Sequence, residues 1–161
     1  RSTVRGMRIG RLLAGLLILI GLAACGSIPR DPDGTLEQVL DDQLLRVGAS
    51  PAEGSVTFED DHAGGREADL VTAFAEELGA EVSWTLGGEG ELVDAMERGE
   101  LDLIIGGLAA DSPWADKVSL TRPYRESTEL DGSTVKHVMA VPLGENAMLV
   151  RLERFLDEVD R

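Results

Sequence analysis

The heptapeptide DLIIGGL, residues 102–108, constrains this chain more than any other stretch. Its apolar run is unbroken where a strand with one wet face would alternate, so it predicts a strand buried on both faces. Such a strand needs helices above and below it, and the flanking sequence supplies them. TLEQVLDD (35–42) sets Leu36, Val39 and Leu40 at helical spacing and leads into a strand, LLRVGAS (44–50). READLVTAFAEELG (66–79) gathers Leu70, Val71, Phe74, Ala75 and Leu78 on one helical face and stops at Gly79. EVSWTL (81–86) alternates as a strand does. GELVDAMERGE (90–100) is a second short helix with Leu92, Val93 and Met96 inward and Gly99 at its end. The order strand, helix, strand, helix, strand is that of a single open, mostly parallel α/β sheet flanked by helices, with right-handed crossovers. PAEGSVTFEDDHAGG, after the first strand, reads as a polar loop. ENAMLVRLERFLDEV closes the chain with a helix whose Met148, Leu149, Leu152, Phe155, Leu156 and Val159 share a face, with Asn146 as N-cap.

The 161 residues, 43% apolar and 28% charged, suit one globular domain. The formal charge of −15 becomes −19 once residues 1–24, with Arg1, Arg5, Arg8 and Arg11, are set aside. That surface repels nucleic acid and anionic headgroups, so nucleic-acid partners are not expected. Cys25 is the single cysteine, which excludes an internal disulfide. It follows Arg8, Arg11 and the apolar stretch LLAGLLILIGLAA, too short for a comfortable membrane span and ending in small residues. Met7 is the expected start of this leader, with residues 1–6 upstream of it.

The string LAAC (22–25) resembles a bacterial lipoprotein lipobox. The resemblance implies cleavage before Cys25, lipidation of its thiol and a chain held to a membrane outside the cytoplasm. The organisation expected is a signal peptide over 1–24, a tether over 25–34 marked by Pro29, Pro32 and Gly34, and one domain over 35–161.

Ligands of an open α/β sheet bind beyond the carboxyl ends of its strands. Two loops therefore matter, one opening at Ser50 and one at Gly107. Gly106 and Gly107 allow close backbone approach. Other chemistry leaves little trace. FEDDH (Glu59, Asp60, Asp61, His62) has neither a calcium-loop spacing nor a second histidine at helical distance, so no metal is expected. His137 falls in a strand with no nucleophile motif to serve. No G-x-S-x-G string occurs, and LGGEGE does not fit a dinucleotide fingerprint. Neither a catalytic residue nor a cofactor is expected.

LRVGAS, GREADLVTAFAEELG, EVSWTL, ELVDAMERGELDLIIGGL and KVSLTRPY together resemble the first lobe of the bacterial extracellular solute-binding proteins of family 3, the periplasmic amino-acid receptors of ABC importers. The likeness runs over about residues 36–124, and AVPLGENAMLVRLERFLDE resembles that family's closing strand and helix. It implies one lobe of a type II periplasmic-binding-protein fold. In the family a whole second lobe stands between PY and the closing strand. Here only STELDGSTVKH lies there, and its Asp131-Gly132 pair predicts a tight hairpin replacing that lobe. A single lobe leaves its ligand wet, so an isolated monomeric receptor of high affinity is not expected unless a second copy or another protein covers the strand ends.

The resemblance also implies a Thr and, three residues on, a carboxylate-binding Arg in the loop after the third strand, where this chain has Asp111 and Trp114 in LAADSPWADK. Neither replaces a guanidinium. ASPAEG lacks the family's stacking aromatic and supplies Glu53. Glu53, Asp111 and Trp114 would instead suit a cation, the indole face attracting an ammonium or guanidinium group. The candidate ligand-binding residues are thus Ser50, Glu53, Gly107, Leu108, Asp111 and Trp114, and Asp102 resembles the family's structural Asp. The function implied is a membrane-anchored, solute-binding lipoprotein serving an ABC importer of amino acids or other small polar solutes. Its partners would be the solute, the membrane, and a permease or a second copy. The alternative is an interaction lipoprotein that binds no solute and docks on a membrane partner or on itself.

Overall fold

The computed structural model describes residues 31–59 and 62–159. Cys25, the leader before it, Asp60 and Asp61 lie outside the described residues. Helix α1 (Thr35–Asp42) feeds strand β1 (Leu44–Ala49). A short antiparallel pair follows, β2 (Thr57–Glu59) with β3 (His62–Gly64). It lies within the segment expected to be plain loop. Then come α2 (Arg66–Leu78), β4 (Glu81–Leu86), α3 (Glu89–Glu97), β5 (Leu103–Ile105) and β6 (Val118–Leu120). A hairpin of β7 (Arg125–Thr128) and β8 (Thr134–His137) leads to β9 (Ala140–Pro142) and α4 (Asn146–Val159).

The main sheet runs β4-β1-β5-β9-β6. β1 pairs parallel with β4 and β5, while β9 is antiparallel to β5 and β6, so β9 alone runs against the other four. This is the mostly parallel α/β sheet of the sequence reading. Alternation along the strands sorts the core into two layers. Leu45, Val47, Ala49, Leu103, Ile105, Met139 and Val141 pack with Phe74 of α2 and with Met148, Leu152 and Phe155 of α4. Ile104, Val138 and Ala140 pack on the other face with Leu92, Val93 and Met96 of α3. Phe74 and Phe155 meet at a centroid distance of 5.3 Å, joining α2 to α4. Each such fully buried side chain contributes about 1.5–3 kcal/mol.

Several details depart from the sequence reading. Leu40 and Val159, placed on apolar helical faces, are exposed at the helix ends. DLIIGGL holds three strand residues rather than seven, because Gly106 and Gly107 turn out of the strand with φ of 141° and 71°. Asn146 does not cap α4 with its side-chain oxygen; its amide donates to the Gly144 carbonyl. The carboxylate serving that helix end is Asp31, which accepts from Ala147 N–H. Residues 31–34, read as the end of a tether, are pinned to the turn before α4. Glu145, 1% exposed, accepts from Asp33 N–H at 2.9 Å and from Thr35 N–H at 2.7 Å. It thereby serves the N-terminus of α1, whose free N–H groups favour an anion.

The crossover hairpin replaces any larger insertion between β6 and β9. Glu129 N–H donates to Ser133 O at 2.9 Å, closing a loop of Leu130, Asp131 and Gly132. The turn is thus three residues with Gly132 at φ 86°, rather than the tightest two-residue form. Asp131 Oδ1 accepts from Ser133 N–H at 2.8 Å, the usual way an aspartate stiffens a turn.

Candidate functional site

The carboxyl ends of β1 and β5 meet at Ser50, Gly106 and Gly107. Ser50 N–H donates to Ile105 O at 2.9 Å, so the two strands part only after Ser50. A Cβ on Gly106 would lie 2.6 Å from Ser50 Cβ and 2.7 Å from Ser50 O. Only glycine fits so close an approach at that φ.

Glu67 fixes this backbone in place. It sits in the first turn of α2 and is 1% exposed. Its Oε2 accepts from Gly106 N–H at 2.8 Å and Gly107 N–H at 3.1 Å, and its Oε1 accepts from Tyr124 O–H at 2.6 Å. Burial and then the adjoining carboxylate push the Tyr124 pKa up, so its hydroxyl remains the donor. Glu67 thus ties α2, the end of β5 and the exit of β6 into one frame. Sequence reasoning missed it, although a signal was there. Glu67 stands four residues before Val71 and seven before Phe74, on the buried stripe of its helix.

The other candidates scatter around the frame. Leu108 is 3% exposed within the α3-side core, and its carbonyl accepts from Val138 N–H at 2.9 Å. Glu53 is exposed on a turn closed by Ala52 and Val56. Asp111 is exposed in an open groove shared with Ser133, Thr134, Val135 and Lys136 of the hairpin. Trp114 is half-buried against Gly90, and its indole Nε1–H donates to Glu89 Oε2 at 3.1 Å. The structure therefore brings Ser50 and Gly107 together, while Asp111 and Trp114 engage different elements. Another groove, of about 400 Å³, lies beside α1 between Asp31, Leu36 and Ala147.

Arg125 escaped the sequence reading, and His137 was placed in a strand there without a role. Arg125 and His137 oppose each other in the β7–β8 register, and His137 also bridges to Ala109, two residues past Gly107. Ser55, 3% exposed, receives a hydrogen bond from Arg125 Nη2 at 3.1 Å and accepts from Glu67 N–H through its carbonyl. A polar cluster of Ser55, Arg125, Ser127 and His137 therefore adjoins the Glu67 frame. Among the described residues no three His, Cys, Asp or Glu side chains gather as a metal site would require.

At the opposite end of the sheet, Asp102 directly precedes β5. It accepts from Arg46 Nη2 at 2.6 Å, Arg46 Nε at 3.1 Å and the Arg46 backbone N–H at 2.8 Å. This matches the structural role expected for it.

The family described as bacterial extracellular solute-binding proteins, family 3, matches residues 45–160. A membrane-bound lytic murein transglycosylase F of Idiomarina loihiensis is 29% identical over 113 residues, covering 70% of this chain and 25% of the relative. A probable histidine-binding protein of Campylobacter jejuni is 29% identical over 87 residues, covering 53% of this chain and 34% of that protein. The chain thus spans a quarter to a third of the length of these curated relatives. Among solved structures, the arginine-bound form of domain 1 from TmArgBP superposes with a TM-score of 0.67 at 21% identity, over 75% of this chain and 97% of that one. At that identity the likeness is one of fold.

Proposed function

Because this chain belongs to family 3 of the bacterial extracellular solute-binding proteins, we propose that it is a single-lobe, extracytoplasmic binding domain for an amino acid or other small polar solute. The solute sits where Ser50, Gly106 and Gly107 end the central strands. The observation that carries this is the Glu67 clamp, which holds two successive glycine N–H groups in a fixed, close-packed backbone. A preordered strand end of this kind lowers the entropy lost when a small polar ligand is bound. The arginine-bound domain 1 of the structural relative supports binding by one lobe, and the relative named for histidine supports the amino-acid class. Because the lytic relative is matched over only a quarter of its length, we assign this segment to recognition rather than cleavage.

The lipobox-like LAAC supports an anchor on Cys25 and a place beside a membrane permease of the ABC type or a second copy of the chain. The test of binding is calorimetry against amino acids, polyamines and quaternary amines. Saturable heat with one class at sub-millimolar concentration supports the reading. Silence across the panel contradicts it. For the anchor, Cys25→Ser should move the protein from the membrane fraction to the soluble one, and an unchanged distribution would count against lipidation.

One observation favours the docking alternative. Leu130, fully exposed at the hairpin tip, offers an apolar contact to a partner. Self-association in sizing experiments that is abolished by Leu130→Ser, together with silence in calorimetry, would establish it.

A further inference from the structure

The cross-strand pair Arg125 and His137 differs from every other polar contact described above in what it leaves unused. Arg125 Nη2 lies 3.1 Å from Ser55 Oγ and 3.3 Å from His137 Nε2, and Ser127 Oγ lies 2.7 Å from the same ring nitrogen. A guanidinium can only donate, so Nε2 accepts and the ring proton sits on Nδ1. Burial, and after it the charge of Arg125, push the His137 pKa down, which keeps the ring neutral near pH 7. Two donors then remain, Arg125 Nε–H and His137 Nδ1–H. Both are buried, and neither has an acceptor among the described residues. His137 itself is 7% exposed.

Charge sharpens the contrast. Arg46, Arg98, Arg122 and Arg151 each hold a carboxylate, as expected in a chain of net charge −15. Arg125 contacts the Ser55 hydroxyl and the His137 imidazole instead. The buried acid on this side, Glu67, already receives two backbone N–H groups and the Tyr124 hydroxyl. Buried donors without acceptors are rare, and a set that can only donate fits an anion rather than a cation.

Resting on the solute-binding reading above, we propose that Arg125 and His137 hold the carboxylate of the bound solute. Arg125 supplies the charge, and the two unused N–H groups gain the acceptor they lack. The guanidinium that the family's likeness places at Trp114 is thereby supplied from the crossover hairpin. His137 and Ala109 bridge that hairpin to the loop leaving β5, so a carboxylate held there stays beside Gly106 and Gly107. The remainder of the solute then faces the strand ends.

The experiment compares each amino acid with its decarboxylated partner, L-arginine with agmatine and L-histidine with histamine, by calorimetry on the unaltered protein. The amino acid should bind roughly ten to a hundred times more tightly, the effect of losing a charge-assisted hydrogen-bonded pair. Arg125→Gln should then weaken the amino acid by a similar factor and leave the amine unchanged. Equal affinity for acid and amine in the unaltered protein overturns the proposal while leaving solute binding intact, and would assign the two donors to water. Silence toward all four compounds and the wider panel overturns the function and this proposal together. The wild-type comparison needs no variant, so a poorly folding Arg125→Gln protein would not protect the proposal.

Discussion

The two ends of the sheet handle buried charge in opposite ways. At the amino end of the parallel strands, Asp102 is matched by three Arg46 donors and Glu145 by the N–H groups of Asp33 and Thr35. Among the described residues no buried side-chain nitrogen or oxygen at that end lacks a partner. At the carboxyl end, Glu67 is equally buried and equally matched, yet beside it Arg125 and His137 each carry a donor with no acceptor among the described residues. The contrast separates charges that hold the fold from charges held ready by it. Every buried polar group carries a desolvation penalty, so a group left unmatched beside well-matched neighbours marks the end that meets a ligand.

Removing a clamp at either end tests the contrast at its strongest. Glu67→Ala strands two glycine N–H groups and a tyrosine hydroxyl, and should lower stability by about 4 kcal/mol on chemical denaturation while also abolishing solute binding. Glu145→Ala strands two N–H groups and should lower stability by about 2–3 kcal/mol, with solute affinity unchanged in the fraction that stays folded. Equal loss of binding in both variants would erase the distinction between the ends.

Gly106→Ala forces a Cβ into Ser50 at a left-handed φ. A cost of about 2 kcal/mol in stability is expected, together with a loss of affinity, because the strand end must open to admit the methyl group. A variant that binds as tightly as the parent would show that this backbone is packing alone.

Smaller in size is the pH response of His137. Its pKa in the fold lies below the ordinary imidazole value of 6.5. The unfolded chain therefore takes up a proton that the fold resists, so stability falls as pH drops below that value and is unaffected above it. Thermal melts between pH 7.5 and 5 should show this fall in the parent, and a shallower one in His137→Asn. Least of all, Arg98→Ala removes a solvent-exposed pair with Glu100, and no change in melting temperature is expected.

Much of this architecture is written in local pattern. Val71 and Phe74 at helical spacing, the run Leu103 to Ile105, and Gly79 at a helix end each state their own role without help from distant residues. The β2–β3 pair was hidden because each strand is only three residues long and sits among polar and glycine residues. Asn146 resembles a cap by type, yet the capping carboxylate comes from Asp31, more than a hundred residues away in sequence.

The site was the least legible part for the same reason. Glu67, Tyr124, Arg125 and His137 acquire meaning only from one another, across separations of 12 to 57 residues. A hairpin register centred on Asp131 would have paired Arg125 with His137, but the Asp-Gly signal alone does not fix that centre. Glu53, Asp111 and Trp114 were chosen by likeness of position within loops. Their contacts depend on how those loops fold, as the Trp114 bond to Glu89 shows.

The most direct measurement is a titration of the 15N-labelled protein with L-arginine and with L-histidine, followed by amide chemical shifts. We expect Ser50, Gly106, Gly107 and His137 to move saturably while Arg46, Asp102 and Glu145 stay still. Shifts confined to the opposite end of the sheet, or none at any residue, would contradict a solute site at the carboxyl ends of the strands.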